Sequence, residues 1–385
     1  MKPFASIPVS LPHSGIREIM DMTAGKEDII HLEVGQPEFP TPDHIVEATC
    51  KYLREGYTKY VPSAGMLQLR EVVADYFEKK TKVKTGIENI AITPGAIFSI
   101  ATAFLALLEP GDEVLLPDPG WPNYTMASSL VHAKPVYYRM LPENSFLPRL
   151  EEMEGLLTPK TKLLLICNPA NPTGQVYNKE LIKELLQFAR RNDLYVLSDE
   201  IYSELIYEGK HISALSYDTD DRTLIVSGVS KSYAMTGYRV GFTRARSDYI
   251  KLATKLQEAF ISCGSGFSQL ASVEAFKGSQ DILHKMVDIY RSRRDLVVSI
   301  LKKNGLFSYK PGGALYQLID ISSTNMDSMD FAIKLLDEKK VAVAPGKTFG
   351  QMSKNHIRIS YAASEEDIRE GIGRICEMIL SCSKN

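Results

Sequence analysis

The sequence predicts an α/β protein: a large domain with a mostly parallel sheet between helices, plus a smaller α+β domain. Three observations lead there. From Asn89 onward, short apolar runs of strand length alternate with stretches of helix length, the pattern of a parallel sheet covered on both faces. Beyond a long helical stretch near Gln280 the texture changes to a shorter mixture of strands and helices. The 385 residues also exceed what one hydrophobic core ordinarily supports. The expected division is an N-terminal arm that joins the small domain (1–45), a large domain (46–284) and a small C-terminal domain (285–385).

Taken in order, the first forty residues are punctuated by prolines and read as irregular. Pro42 and Asp43 open an amphipathic helix that runs to about Glu55 and closes at Gly56. A tyrosine-rich loop follows, and Ser63 reads as the N-cap of a helix whose apolar face is Leu67, Val72, Val73, Tyr76 and Phe77. The strand NIAIT leads into a helix over 96–108, which Pro110-Gly-Asp terminates. EVLLP precedes a helix from about Tyr124, and KLLLI precedes a helix capped by Asn178 and running through Arg191. LYVLS, TLIVSG and GFTRA complete the run of strands. The long helix from about Gln280 ends at Gly305. Strands ALYQLID, VAVAP and HIRISYA follow, with a helix between the first two and a last helix after Ser364, where Ser364-x-x-Asp367 resembles a capping box.

Composition excludes several classes. With 44% hydrophobic and 24% charged residues the chain is of ordinary globular type, and 45 basic against 47 acidic residues leave a net charge of -2. That balance offers nothing to nucleic acid or to an anionic membrane surface. The N-terminal stretch lacks the unbroken apolar core of a signal peptide, and the longest apolar run, 97–108, is too short to span a bilayer. The five cysteines are dispersed without CxxC spacing, which suggests a reducing cytoplasm, and the seven histidines lack metal-ligand spacing.

The unusual polar residues collect just after the carboxyl ends of the expected strands: Gly95, Trp121, Asn171, Asp199 and Lys231. In open α/β sheets that edge is where ligands bind. Lys231 leaves the end of a buried strand, an address where an amine loses solvent, its pKa falls and it becomes a nucleophile. Taken singly, each residue has an ordinary use: a solvated loop lysine, an asparagine turn before Pro172, a helix-capping aspartate, a core tryptophan.

In their order, these stretches resemble the motifs of class I aminotransferases of the pyridoxal-phosphate fold-type I superfamily. They are Asn168-Pro-Ala-Asn171-Pro-Thr-Gly174, Asp199-Glu-Ile-Tyr202, and Ser230-Lys231 followed by Met235-Thr-Gly-Tyr-Arg239-Val-Gly241. Val34-Gly35-Gln-Pro-Glu-Phe-Pro40, Thr93-Pro-Gly-Ala96, Pro110-Gly-Asp-Glu-Val114 and Arg358-Ile-Ser-Tyr-Ala362 extend the likeness from about Leu32 to the C-terminus. The resemblance implies a seven-stranded type of sheet, pyridoxal 5'-phosphate as cofactor and an aminotransferase reaction between an L-amino acid and a 2-oxo acid by a ping-pong route.

It also implies a role for each matching residue. Lys231 would hold the cofactor aldehyde as an internal aldimine and later move a proton. Asp199 would keep the pyridine nitrogen protonated, and Asn171 and Tyr202 would hydrogen-bond the phenolic oxygen. Trp121 would stack on the ring. Gly95, Ala96 and Ile97 would cradle the phosphate at a helix N-terminus, with Arg239 adding a charged fork. Ser230 would contribute a hydroxyl, although many family members have a serine three positions before the lysine, where this chain has Gly228. Tyr60 would reach the phosphate from the neighbouring subunit of a homodimer. Arg358 would grip the substrate α-carboxylate, with Gly35 giving room for close backbone approach. Arg17, on the arm, is a candidate second anionic contact.

Two rivals share this fold: a β-lyase or other eliminating enzyme, and a non-catalytic regulatory member. The full set of Lys231, Asp199, Asn171, Arg239 and Arg358 speaks against the second. A dinucleotide-dependent dehydrogenase lacks its glycine fingerprint, since Gly264-Ser-Gly266 has no third glycine and no preceding strand.

Overall fold

The computed structural model describes residues 1–11 and 14–383. Its centre is a seven-stranded sheet made of β1 (Ile90–Thr93), β2 (Glu113–Asp118), β3 (Lys134–Arg139), β4 (Thr161–Cys167), β5 (Tyr195–Asp199), β6 (Thr223–Gly228) and β7 (Gly241–Arg244). The spatial order is β1-β7-β6-β5-β4-β2-β3, and β7 alone runs antiparallel to its neighbours. Successive side chains of a strand point to opposite faces. Leu164 and Ile166 therefore join the core on one side with Ile225 and Phe242, while Leu163 and Leu165 join the other with Leu197 and Val226. Each such side chain contributes about 1.5–3 kcal/mol by leaving water.

Register then decides where the loops emerge. Cys167 lies opposite Asp199, and Asp199 opposite Val226, so the segments after β4, β5 and β6 leave from one edge. β1 runs parallel to these strands across the antiparallel β7, which brings Thr93 to the same edge. The expected convergence of strand ends is present.

A second, three-stranded antiparallel sheet, ordered β9-β10-β8, contains β8 (Tyr316–Asp320), β9 (Ala344–Pro345) and β10 (His356–Ser360). Ile30–His31 pairs with Val341–Ala342 in parallel, and Ile19 and Leu32 share a core with Leu335, Ile357 and Ile372. The N-terminal segment thus packs with the C-terminal elements. The helix Asp281–Lys303 runs through the boundary expected at 284/285. The Asn178 and Ser364 caps form as expected, each side chain accepting a backbone N–H three residues on.

Several expectations are corrected. The first forty residues are not irregular: helices span Ser6–Ser10 and Gly15–Thr23. Ser63 caps nothing; Pro62 to Gly65 make a turn, and the helix runs Leu67–Thr81 with Leu69, Val73, Ala74 and Phe77 buried and Leu67 exposed. VAVAP is not one strand, because Val341–Ala342 and Ala344–Pro345 serve different sheets on either side of Val343. The edge strand β3 and the helices Ser247–Ile261 and Gly266–Lys277 have no counterpart in the sequence reading. β3 carries Pro135 and is largely exposed, as edge strands tolerate, so it shows no apolar run. Gly266–Lys277 is buried nearly all round, which removes the amphipathic stripe that would mark it.

Candidate active site

At the converging edge lies a cavity of about 390 Å³. Ala96, Ile97, Trp121, Asn171, Asp199, Tyr202, Ser230, Lys231 and Arg239 line it from the large sheet, and Gly35 and Arg358 from the other side. Gly95 stands immediately behind Arg239. Tyr60 and Arg17 do not line it.

Lys231 follows β6 and is half-buried, with its Nζ donating to the Gly35 carbonyl at 2.7 Å. Loss of solvent, and then the nearby Arg358 and Arg239 guanidiniums, lower its pKa to about 8, against a smaller opposing pull from Asp199. Its sequence neighbour Ser230 is buried at the cavity wall.

Asp199 ends β5 and is buried. It accepts the Tyr124 hydroxyl at 2.7 Å and the Ile201 N–H at 3.2 Å. Both donors are neutral, and burial pushes the carboxyl up to about 6. Such a group gains most from a cation entering the cavity, because burying an unpaired charge is costly. Its neighbour Glu200 anchors the loop by accepting from the Ser198 and Ser213 hydroxyls and the Ala214 N–H, each at 3.0 Å.

The helix Ala96–Leu107 starts at the cavity without a side-chain cap, so its first N–H groups and the positive end of its dipole remain for an anion. Thr93 shapes the turn: its hydroxyl donates to the Gly95 carbonyl at 3.1 Å and lies 2.8 Å from the Ser99 hydroxyl. Gly95 has φ +88° and ψ 157°, a region essentially reserved for glycine, and a Cβ there would collide with the Arg239 guanidinium. Arg239 is exposed and held by the Thr236 carbonyl at 3.1 Å. Gly95→Ala is expected to destabilise the protein by about 1–3 kcal/mol and to displace Arg239. Urea denaturation checks the first effect, and unchanged stability would refute the strain.

At the other end Arg358 is buried on β10. It donates to Asn171 Oδ1 at 3.2 Å and to the Glu33 carbonyl at 2.5 Å. Its guanidinium lies 4.3 Å from the Tyr316 ring centre and 4.8 Å from that of Phe349. Nε finds no acceptor among the described residues. A buried guanidinium whose hydrogen-bond partners are all neutral is a seat for an anion. Tyr316 also bonds the Tyr202 hydroxyl at 2.8 Å, and a Cβ on Gly35 would strike the Tyr316 hydroxyl.

The sequence reading missed Tyr124 and Tyr316. Tyr124, three residues after Trp121 in the helix Pro122–Leu130, meets its ring edge-on at 5.5 Å. Nothing local marks it, since its partner Asp199 is 75 residues away. For Tyr316 the signal was alternation: it shares the strand face that crosses Arg358. Arg17 is exposed on the helix Gly15–Thr23, whose Ile16 lines the cavity in its place. Tyr60 is 89% exposed in the single chain.

Comparison with known proteins identifies the family. The sequence profile described as aminotransferase class I and II matches residues 27–375. An aspartate aminotransferase of Pyrococcus horikoshii is 39% identical, over 95% of this chain and 94% of its own length. An aspartate/prephenate aminotransferase of Thermus thermophilus is 35% identical, over 98% and 97%. The solved structure of Thermus thermophilus aspartate aminotransferase with maleate superimposes with a TM-score of 0.93 at 34% identity, covering 98% of this chain and all of that one. The seven-stranded sheet, the smaller antiparallel sheet and the sequence therefore agree: the chain belongs to the aminotransferase class I and II family and is a transaminase.

Proposed function

We propose that this transaminase uses pyridoxal 5'-phosphate to move an amino group from an L-amino acid to a 2-oxo acid, in two half-reactions of ping-pong form. The observation that carries the reading is one cavity holding three groups: Lys231 with its lowered pKa, a buried Asp199 whose hydrogen-bond donors are all neutral and a buried Arg358 whose acceptors are all neutral.

The residues fit the cofactor at both ends. Asp199 suits a protonated pyridine nitrogen, and the uncapped helix start behind Gly95, with Arg239 and Ser230, suits a phosphate. When bound, the cofactor supplies an aldehyde that accepts the amino group and a ring that takes up the electrons left at the substrate α-carbon. Lys231 Nζ would hold the aldehyde carbon, and as a free amine it would move the proton at the substrate α-carbon. Asn171 and Tyr202 would hydrogen-bond the ring oxygen, Trp121 would cover a ring face, and Ala96 and Ile97 would offer N–H groups to the phosphate. Arg358 binds the substrate α-carboxylate, for which the missing side chain of Gly35 leaves room.

Reconstitution with the cofactor tests this. Borohydride reduction followed by peptide mass mapping should place the cofactor on Lys231, and amino-acid donors should bleach the visible band of the unreduced protein. Label on another lysine, or none, refutes the reading. Release of ammonia and pyruvate in place of the 2-oxo acid would indicate elimination.

A pH dependence follows with a definite sign. The neutral amine is the nucleophile, and an amine lowered to about 8 is neutral above that pH and protonated below it. Uptake of the aldehyde by the apo-protein, followed by stopped-flow absorbance, should accelerate as pH rises to about 8 and then level off. A rate still climbing at pH 10 would show an unperturbed lysine.

The same reading makes the enzyme a homodimer in which Tyr60 of one subunit reaches the phosphate of the other. Exposed aromatic side chains support it: Tyr60 and Phe260 each stand out from the surface, and Phe260 meets Phe98 edge-on at 6.4 Å, one residue beyond Ile97 of the cavity. Sedimentation should give twice the 43.0 kDa chain mass, and a fully active monomer would overturn the assignment. Five free thiols fit a cytoplasmic setting, and the arm (1–45), large domain (46–284) and small domain (285–385) complete the reading. Among the described residues no helix is long and apolar enough to cross a membrane.

A further inference from the structure

A clasp between the two sides of the cavity uses residues given no role so far. β2 ends at Asp118, and the chain continues through Gly120 to Trp121. Facing it is the segment from Phe349 to Met352, in the loop that leaves β9. Asp118 is buried, and its two oxygens take two successive backbone N–H groups, Oδ2 from Gln351 at 3.1 Å and Oδ1 from Met352 at 3.0 Å. The Gly120 N–H closes a third bond to the Phe349 carbonyl at 2.8 Å. Gly350 has φ +133°, and a Cβ there would strike Asp118 Oδ1, so so close a seat for the carboxylate requires glycine.

One end of the clasp is a cavity wall and the other packs on the arginine. Trp121 directly follows Gly120, and Phe349 packs 4.8 Å from the Arg358 guanidinium. Alongside the Asn171–Arg358 bond, the clasp is a second bridge between the large sheet and the arginine. Hydrogen bonds to an ionised carboxylate are about twice as strong as neutral ones, and cutting them would leave the Gln351 and Met352 N–H groups without this acceptor.

We propose that Asp118 is a positioning residue: by holding the backbone of residues 350–352 it sets the spacing between Trp121 and the Phe349–Arg358 pair, and hence the placing of the substrate carboxylate against the cofactor ring. The proposal rests on the reading of Arg358 as the carboxylate site.

The test compares the holoenzyme with its Asp118→Ala, Asp118→Asn and Arg358→Lys variants, each with the best amino-acid donor and with the primary amine that lacks its carboxylate. Asp118→Ala should raise KM for the amino acid about tenfold with kcat within about twofold. Asp118→Asn keeps one acceptor and should fall between. The slow half-reaction of the carboxylate-free amine, read by absorbance, should be unchanged in both. Equal slowing of that amine would mean general damage and would overturn the proposal. So would an unchanged KM in Asp118→Ala while Arg358→Lys raises it. An unchanged KM in Arg358→Lys would remove the carboxylate reading itself, and the clasp with it. If Asp118→Ala does not fold, Asp118→Asn is judged by the same criteria.

Discussion

Lys231→Ala is expected to lower transamination by roughly 10⁴-fold, the upper range for removing a positioned acid–base group, with loss of the covalent attachment added. The structure supports so large an effect because, among the described residues, the cavity offers no second amine: its other cations, Arg239 and Arg358, are guanidiniums that stay protonated. Lys231→Arg should fail as badly, since it keeps the charge and loses the neutral nucleophile. Both variants should still hold the cofactor through the phosphate and pyridine contacts, so content after dialysis should fall far less than turnover. Single-turnover absorbance with a good donor measures the loss, and a rate within tenfold of wild type would remove Lys231 from the chemistry.

Arg358→Ala ranks second. Truncating one partner of a buried, hydrogen-bonded charge pair costs about 2–5 kcal/mol, or roughly 30-fold to several thousand-fold in kcat/KM. Arg358→Lys keeps the charge but loses the fork and the contacts with the Tyr316 and Phe349 rings, and it should fall in the lower part of that range. The defect should appear with both amino acids and 2-oxo acids, because both present the same carboxylate. Steady-state kinetics of each half-reaction decide the point. Equal losses for substrates with and without a carboxylate would make Arg358 a structural residue.

Much of this arrangement was legible in the chain. Asp199 and Lys231 each follow an unbroken apolar strand, and strands buried on both faces read that way wherever they occur. The edge strand β3 and the fully surrounded helix Gly266–Lys277 were not legible, one being too exposed for an apolar run and the other too buried for a stripe. Arg17 shows the same limit at a single position. Its place on the arm was readable, but the rotation of a helix that puts Ile16 inward and Arg17 outward was not.

The sequence by itself therefore determined most of the large sheet's strands in their order and the polar residues that stand at their ends. Those are local properties of composition and spacing. Only the tertiary structure decided that Tyr124 supports Asp199, that Tyr316 and Phe349 flank Arg358, and that Asp118 seats on the backbone beside Gly350. These contacts join residues from nine to more than 200 positions apart, and the Asp118 clasp ends on main-chain N–H groups. Every residue but proline carries such a group, so the fold alone selects which of them the carboxylate meets.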